Sequence, residues 1–348
     1  MKTKFDSYCI NDIADGCKYC LPGEKVVLFM GGKCSRNCWY CSLSDSRKKC
    51  KTVFANERLI KRTKDLIKEI TESNAKGMGI TGGDPLQYYR KILKFSKKAK
   101  KKFEPGFHIH IYLPLNLVTL KKIKKLSKYV DEFRFHPSLL INENKNQKEI
   151  FLLKQISDEV GKDRVGIELP LIPDKEKEII NFILQIKNYI GFLNLNEFEI
   201  SETNFNVVTK KYRINSDSYT ISNSKKIGLK ILQALKNSGL KIHLCTARTK
   251  DGHQYVNRLK KHNILPFGNK TSDGNVIYFA TYPKNLRKAE RLVKKSSMNY
   301  YVDKNKKRII IKMQDVEKVY YGTGLKIARV LEPPTFDSDY LEFSWIDE

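Results

Sequence analysis

The sequence has no hydrophobic run long enough to cross a membrane. Its longest apolar stretches, such as 26–30 and 179–186, are far shorter than the roughly 20 residues that span a bilayer. The first residues include Lys and Asp and lack the features of a secretion signal. We therefore expect a cytoplasmic protein with no membrane partner.

Acidic residues are few relative to basic ones. The 348 residues include 66 Lys or Arg and only 38 Asp or Glu, so the formal net charge is +28. A field of this sign attracts polyanions over long distances, which makes nucleic acid the leading candidate partner. The alternative is a general lysine-rich composition, but Lys and Glu would then rise together, and here they do not.

Fixed-period repeats and low-complexity linkers are also absent. Instead, from about residue 26, short apolar or β-branched runs alternate with longer helical patterns. Six or seven such units predict an α/β fold with a parallel sheet, forming a partial or nearly complete (β/α) barrel whose chemistry lies where strands run into their following loops. The predicted strands are 26–30, 77–81, 107–112, 130–135, 164–169, 191–196 and 241–246, and the predicted helices are 57–71, 87–102, 119–128, 147–160, 176–189 and 224–238.

The pattern changes after residue 246. The remaining chain has strand-like runs, one basic helix near 286–295 and an ending rich in acidic residues and proline. We therefore expect an N-terminal cysteine-bearing segment (1–25), a barrel (26–257) and a small α+β domain (258–348) that is a candidate for RNA binding. Its strands are predicted at 276–280, 299–302, 308–312 and 318–321, and the aromatic residues that could stack on bases are Tyr300, Tyr301, Tyr320 and Tyr321.

Three closely spaced cysteines follow the first predicted strand. Cys34, Cys38 and Cys41 form a CxxxCxxC motif in a loop introduced by Gly31 and Gly32. In a chain without a secretion signal, such clustering favours metal binding over disulfides. Three thiolates can hold three irons of a [4Fe–4S] cluster and leave the fourth iron open. The alternative is a zinc loop completed by a distant fourth ligand.

This motif, with Tyr40 directly before its last cysteine, resembles that of the radical S-adenosylmethionine (SAM) superfamily. The resemblance implies that the open iron binds the amino and carboxylate groups of SAM. One-electron reduction would then yield a 5′-deoxyadenosyl radical, with an electron donor such as ferredoxin or flavodoxin. Tyr40 would pack near the adenine.

A second motif ends the second predicted strand. The segment GGDP at 82–85 resembles the superfamily's GGEP, whose backbone receives the amino group of SAM, so Gly82, Gly83 and Asp84 are predicted cofactor contacts. Glycine lets a ligand approach the main chain closely. Asp84 stands where the family has Glu, which leaves a direct side-chain role open. The alternative is a turn with Asp84 as N-cap and Pro85 at the first helical position.

Polar residues end several further predicted strands, and we expect them to share one rim of the barrel. Glu168, Asn194 and Asn196 are predicted to contact the ribose and carboxylate of SAM. Each of them alone would more often be a packed or capping group. The other polar residues at these strand ends are His108, His110, Tyr112, Arg134, His136, Glu197, Glu199 and Glu202.

The remaining cysteines predict a second metal site. Cys17 and Cys20 form a CxxC motif before the first strand, while His243 and Cys245 end the last one. Thiolate and imidazole donors suit zinc or a second iron–sulfur cluster. A competing set replaces His243 by Cys9. The remaining possibility is that these are inert thiols and a buried core histidine.

Longer segments, among them GCKYCLPGEKVVLFMGGKC at 16–34 and FLNLNEFEISETN at 192–204, resemble an archaeal radical-enzyme family related to the pyruvate formate-lyase activating enzymes. The resemblance covers residues 16 to about 258. Two functions follow as hypotheses. The first, favoured by the charge, is modification of RNA, with transfer RNA as the first candidate, at an unactivated carbon. The second is an activase that removes a hydrogen from a residue of a partner protein. A radical reaction on a small molecule would leave the charge unexplained.

Overall fold

The computed structural model describes residues 1–103, 106–141, 146–297, 299–336 and 339–346. The chain divides into two compact units, the first formed by 1–71 and 75–255 and the second by 72–74 and 256–348. The N-terminal 25 residues belong to the first unit. No helix in the described ranges is long and apolar enough to cross a membrane.

The first unit contains a ten-stranded sheet in the order β1-β10-β9-β8-β7-β6-β5-β2-β3-β4. Strands β2 and β5 to β10 run parallel, whereas β1 and the β3–β4 hairpin pair antiparallel at the two edges. Seven parallel strands confirm the α/β fold class. The strands are β1 (Tyr8–Ile10), β2 (Lys25–Phe29), β3 (Phe54–Ala55), β4 (Arg58–Leu59), β5 (Gly77–Thr81), β6 (His108–Pro114), β7 (Glu132–His136), β8 (Val165–Leu171), β9 (Phe192–Glu197) and β10 (Lys241–Cys245).

Helices follow most of the parallel strands and bury one apolar face against them. In the helix Glu176–Ile186, for example, Ile179, Phe182, Ile183 and Ile186 recur at helical spacing and are buried. The helices are α1 (Asp15–Cys20), α2 (Asp45–Lys49), α3 (Thr63–Glu72), α4 (Tyr89–Phe103), α5 (Leu120–Leu126), α6 (Asn146–Val160), α7 (Glu176–Ile186), α8 (Phe205–Val208) and α9 (Ser224–Ala234), and a π-helix follows at Thr249–Tyr255.

The two faces of the sheet differ, as period-two alternation requires. In β6, Ile109, Ile111 and Leu113 belong to the apolar core, while His110 and Tyr112 line a cavity of about 470 Å³. Side chains from all seven parallel strands line this cavity. Because a flat sheet cannot bring its first and seventh parallel strands to one cavity, the sheet curves around it as a partial barrel. Within the described residues, the edge strands β1 and β4 do not pair, so the barrel stays open.

Helix α1 lies at the N-terminal edge of these strands. The amide of Gly16 donates to Glu132 Oε2 at 2.8 Å, and Glu132 is the first residue of β7. A Cβ atom at position 16 would lie 2.6 Å from both Arg134 Nη2 and His110 Nδ1. Glycine therefore allows α1 to pack directly onto the polar side chains inside the sheet, which brings Cys17 to the cavity.

The second unit contains a separate antiparallel sheet in the order β13-β14-β12-β15-β16, with β11 on β12. The predicted strand at 318–321 is wrong, because these residues lie in a helix that buries Val316 and Val319 and ends at Gly324 with φ +66°. Tyr321 of this helix is 82% exposed. The elements are α10 (Val256–Lys261), β11 (Asn269–Lys270), β12 (Val276–Thr281), α11 (Leu286–Ser296), β13 (Tyr300–Asp303), β14 (Arg308–Ile311), α12 (Val316–Thr323), β15 (Ala328–Glu332) and β16 (Glu342–Trp345).

Candidate functional site

The loop between β2 and α2 carries the three closely spaced cysteines. Cys34, Cys38 and Cys41 are half-buried, form no disulfide and line the cavity. The amide nitrogen of Arg36 lies 3.4 Å from the Cys34 sulfur. The Arg36 guanidinium donates to the carbonyl of His136, which ties the loop to the end of β7.

The chain after β9 holds this cysteine loop from the other side. Ser201 Oγ donates to the carbonyl of Cys41 at 2.9 Å, and Asn204 Nδ2 donates to the carbonyl of Tyr40 at 3.4 Å. Thr203 Oγ1 donates to a further carbonyl of the loop at 2.5 Å. Residues 201–204 therefore act as a clamp, a role that their sequence did not reveal.

The two glycines of the GGDP segment pack against the same loop. The Gly83 amide donates to the Gly31 carbonyl at 2.9 Å, and a Cβ on Gly83 would lie 2.2 Å from the Gly32 carbonyl oxygen. Gly82 has φ +149° and its Cβ would lie 2.6 Å from the Gly31 oxygen. Both glycines line the cavity. They therefore position the cysteine loop as well as exposing backbone to a ligand.

Asp84 differs from its neighbours, because its side chain is fully buried and does not line the cavity. Its Oδ1 accepts a hydrogen bond from the Leu86 amide at 2.9 Å and caps the short 3₁₀ helix Pro85–Tyr88. Its Oδ2 has no hydrogen-bond partner among the described residues, and burial raises the pKa of this carboxyl. The turn alternative thus describes the Asp84 side chain, and contact with SAM stays a prediction.

Tyr40 lines the cavity and belongs to an aromatic group beside the cysteine loop. Its ring meets Trp39 edge to face at 5.4 Å, and Trp39 stacks on Tyr212 at 6.3 Å and meets Phe198 at 6.0 Å. Burial, above all, raises the pKa of Tyr40 far above its usual range. The phenol is therefore neutral, and the group shields one side of the cysteine loop from water.

Glu168, Asn194 and Asn196 come together on the cavity side of β8 and β9, with Glu168 and Asn194 inside the strands, where the sequence predicts strand ends. Asn196 Nδ2 donates to Glu168 Oε1 at 2.8 Å, and Asn194 Nδ2 donates to Oε2 at 3.2 Å. All three line the cavity. Since a carboxylate has about four acceptor positions, Glu168 keeps room for a hydroxyl donor of a ligand even with Arg134 bonded to it.

Arg134 is the centre of a buried polar network that sequence reasoning did not foresee. Its guanidinium bonds Glu132 at 2.6 Å and Glu168 at 3.3 Å. It also donates to the Tyr112 hydroxyl and to the Cys17 sulfur, each at 3.3 Å. Its position on the cavity side of β7 was predictable, but apart from Glu132 its partners were not, because they lie 22 to 117 positions away.

Lys25, the first residue of β2, is a further cavity residue that the sequence did not single out. It is buried, and its Nζ lies 2.6 Å from His108 Nδ1 and 2.9 Å from His110 Nδ1. Burial lowers the pKa of Lys25 to about 8 and lowers the pKa of both His108 and His110. Both imidazoles are therefore neutral and can accept from the lysine.

Cys17, Cys20, His243 and Cys245 line the same cavity. Cys9 does not line it, although β1 places Cys9 directly opposite His243 in the backbone pairing. Among the described residues, no three His, Cys, Asp or Glu side chains are arranged to hold a single metal ion. A second metal site on these residues accordingly stays a prediction.

The three-cysteine loop fits an iron–sulfur cluster. Its thiols are free, partly exposed and turned toward a cavity, and one sulfur has a backbone N–H within hydrogen-bonding distance. Proteins commonly tune such clusters by hydrogen bonds to sulfur. The adjoining cavity surface offers glycine backbone, an aromatic ring and a carboxylate. These features suit a ligand that carries an amino group, a nucleobase and hydroxyl groups.

Three comparisons relate the chain to known proteins. A family model for the radical SAM superfamily matches residues 28–165. The chain is 36% identical over 273 residues to a Methanocaldococcus jannaschii protein named as a candidate glycyl-radical enzyme activating enzyme, covering 76% of this chain and 72% of that relative. Among solved structures, the radical SAM methyltransferase TsrM of Kitasatospora setae matches with a TM-score of 0.37 and 10% identity. That match covers 56% of this chain and 41% of TsrM, so the chain spans less than half of its length.

Proposed function

This chain belongs to the radical SAM superfamily, and we propose that it is an activating enzyme that places a radical on a partner protein. Family membership confirms the expectation of an enzyme that uses a [4Fe–4S] cluster and SAM. The observation that carries the finer proposal is the 36% identity to a relative named as a candidate activating enzyme. It supports the activase hypothesis over the modification of transfer RNA.

The cofactors have defined places in this proposal. The [4Fe–4S] cluster is held by Cys34, Cys38 and Cys41, and when bound it supplies one electron for the reductive cleavage of SAM. SAM lies against the backbone of Gly82 and Gly83. The remaining predicted contacts are Tyr40 at the adenine and Glu168, Asn194 and Asn196 at the ribose and carboxylate.

The protein's own residues orient SAM and keep water away. Glu168 is fixed by amide donors from Asn194 and Asn196, so its remaining acceptor position points in a set direction. The clamp residues 201–204 hold the loop that carries the cysteines. A preorganised site of this kind spends little energy on rearrangement when the ligand binds.

The proposed substrate is a peptide segment of another protein, and the electron donor is a ferredoxin or flavodoxin. To approach the place where SAM is cleaved, the peptide segment must enter the cavity from the edge where the cysteine loop lies. The cavity wall there combines Leu169, Pro170 and Phe198 with the polar Glu199–Lys250 pair, whose atoms are 2.6 Å apart. Apolar walls with a few fixed polar groups are usual in binding pockets.

The test measures what stimulates SAM cleavage. The reconstituted enzyme is reduced anaerobically with SAM, and fractions of a cell extract from the source organism are added. We expect formation of 5′-deoxyadenosine to rise with a fraction that protease destroys and ribonuclease does not, and a protein-borne organic radical to appear in its electron paramagnetic resonance (EPR) spectrum. Stimulation that ribonuclease abolishes would contradict the proposal.

A second candidate function, modification of transfer RNA, is supported by an exposed basic helix. Helix α11 of the second unit presents five exposed cations to solvent, and Tyr321 is exposed on α12. Positions 256–348 hold 18 Lys or Arg and 11 Asp or Glu, however, so most of the excess positive charge lies in the first unit. The five cations are Arg287, Lys288, Arg291, Lys294 and Lys295.

Two measurements test this second candidate. Affinity for transfer RNA should fall by orders of magnitude between about 50 and 200 mM salt if phosphate contacts dominate. Replacing Arg287, Arg291 and Lys294 by Glu should weaken binding, while the same change at Lys225, Lys226 and Lys230 of α9 serves as a matched control. Mass spectrometry of nucleosides from a deletion strain should then reveal a missing modification, and an unchanged nucleoside profile contradicts this candidate.

A further inference from the structure

We propose that Cys17, Cys20, Cys245 and His243 bind a second iron–sulfur cluster, separate from the one on the three-cysteine loop. We call these residues the second donor set. The proposal does not depend on which substrate the enzyme modifies.

The topology brings the four donors to one part of the cavity. Cys17 and Cys20 are three residues apart in α1 and therefore share a face of the helix. His243 and Cys245 are two residues apart in β10 and share a face of the strand. The Cys17 sulfur lies 3.7 Å from Asn194 Oδ1, and Asn194 is the direct neighbour of His243 in the parallel pairing of β9 and β10.

His243 points to a missing ligand. Its side chain lines the cavity and the residue is 1% exposed, yet within the described chain neither ring nitrogen has a hydrogen-bond partner. Leaving a buried polar group unsatisfied costs about 1–3 kcal/mol. A neutral imidazole has one ring nitrogen with a lone pair to donate. A bond to iron would occupy that lone pair.

Two of the three sulfurs already accept N–H groups. Arg134 Nη2 lies 3.3 Å from the Cys17 sulfur, and Gln254 Nε2 lies 3.5 Å from the Cys245 sulfur. Gln254 belongs to the π-helix after β10, and π-turns often occur at functional sites. Outer hydrogen bonds of this kind orient metal ligands and tune the metal centre.

Three cations lie near the three thiols, two of them buried and the third, Lys250, half-buried. Arg134 interacts electrostatically with Cys17, Lys25 with Cys20, and Lys250 with Cys245. Burial nevertheless raises the pKa of all three thiols, and these cations offset only part of that effect. Cluster ligands are thiolates, and without nearby positive charge three of them in a buried site would be strongly disfavoured.

The arrangement of the donors does not match a single zinc ion. Zinc gathers its ligands at about 2.0–2.3 Å from one point, and no three donors in the described residues have that arrangement. The same holds for Cys34, Cys38 and Cys41, although the superfamily holds its cluster there. In a cluster each thiolate binds a different iron, so the sulfurs stay farther apart.

The experiment separates the two sites in the full-length protein. In the triple variant Cys34→Ala, Cys38→Ala, Cys41→Ala, anaerobic reconstitution should still give about four irons and four sulfides per chain. Adding Cys17→Ser should lower the iron at least twofold, whereas adding Cys50→Ala should not. Cys50 is a matched control because it lies outside the cavity lining and near Thr52.

Several results would overturn the proposal. A triple variant without iron, or one with a single zinc per chain and no iron, rules out a second cluster. If Cys17→Ser does not fold, His243→Ala in the triple variant gives an independent reading, and we expect a changed EPR spectrum of the reduced cluster. An unchanged spectrum and iron content in His243→Ala would exclude the histidine as a ligand and refute the proposed set. An enzyme that fails to cleave SAM but still binds iron at the second donor set would count against the proposed function and not against the second cluster.

Discussion

Each of the two units contains a buried arginine held between two carboxylates, but only one of these arginines faces a cavity. Arg134 lies in the first unit and Arg308 in the second, and both are at most 2% exposed. Both lie on a strand, next to acidic residues of the same sheet. The carboxylates are Glu132 and Glu168 for Arg134, and Asp303 and Glu332 for Arg308.

The difference lies in what remains available for a ligand. Arg308 uses its guanidinium on Glu332 at 2.6 and 2.9 Å and on Asp303 at 2.9 Å, and it covers the ring of Tyr278 at 4.9 Å. Arg134 instead lines a cavity and reaches a thiol, and Glu168 beside it keeps an acceptor position. A buried ion network therefore does not by itself mark a functional site, whereas unused bonding capacity at a cavity does.

The largest expected effect on stability is at Arg308. Arg308→Met leaves Asp303 buried without this cation and Glu332 with Lys306 alone, and removing one partner of such a network costs about 3–5 kcal/mol. We expect the second unit to unfold at lower temperature, measured by hydrogen exchange resolved by unit. Arg329→Met is the control, because Arg329 pairs with an exposed Glu342 and its loss should change the free energy of unfolding by less than about 1 kcal/mol. Equal effects of the two substitutions would contradict this account.

A smaller loss of stability is expected at Arg134. In Arg134→Met, water entering the cavity can reach Glu168, so we expect a loss of about 1–3 kcal/mol. Formation of 5′-deoxyadenosine should fall much more than stability does, because Glu168 loses one of the three side chains that orient it. Arg134→Lys, which keeps the charge but not the planar fork, should recover stability better than product formation. The account is contradicted if Arg134→Met lowers stability as much as Arg308→Met does and the rate of 5′-deoxyadenosine formation per folded enzyme stays normal. Arg134 would then have the same structural role as Arg308.

A pH dependence should distinguish the second unit. Burial, above all, raises the pKa of Tyr278 to about 12, whereas an unfolded tyrosine titrates near 10. The folded state holds this proton more tightly than the unfolded state does. Protonated Tyr278 therefore makes its full contribution to the free energy of unfolding below about pH 10, and this contribution is lost as the pH rises toward 12. The loss is on the order of 2–3 kcal/mol. Denaturant unfolding of the wild type at pH 9 and 11.5 should show this loss. In Tyr278→Phe, the free energy of unfolding should decrease less between the same two pH values.

The smallest expected effect is at Tyr321. This side chain is 82% exposed, so Tyr321→Ala should change the free energy of unfolding by no more than about 0.5 kcal/mol. Tyr320→Ala, on the packed side of α12, should cost more. Thermal unfolding of both variants measures the difference, and a larger loss for Tyr321→Ala would mean that the helix packs differently.

Local pattern was enough to predict the parallel strands and the loop motifs. Strand β5 spans Gly77–Thr81, as its apolar run and its glycine-rich ending predicted. The CxxxCxxC loop and GGDP were found because their chemistry lies within a few consecutive residues. Grouping Glu168, Asn194 and Asn196 rested on neighbouring parallel strands, and the structure brings them together on the cavity side of β8 and β9, while their contact with SAM stays a prediction.

Contacts between distant positions could not be predicted in the same way. Lys25 begins a strand and nothing in its local sequence marks it as buried, yet the curved sheet places its ammonium beside two histidines. Strand β1 has three residues and β3 has two, too few for a periodic signal. The error at 318–321 arose because Val319 and the two tyrosines that follow it favour a strand locally, while burial of Val316 and Val319 favours a helix.

The central claim is that Cys34, Cys38 and Cys41 hold the cluster at which SAM is cleaved. The most direct test is the yield of 5′-deoxyadenosine after anaerobic reconstitution and reduction with dithionite, compared between Cys38→Ala and the control Cys50→Ala. We predict no product above background from Cys38→Ala and wild-type yield from Cys50→Ala. Wild-type yield from Cys38→Ala, with about four fewer irons per chain, would contradict the claim.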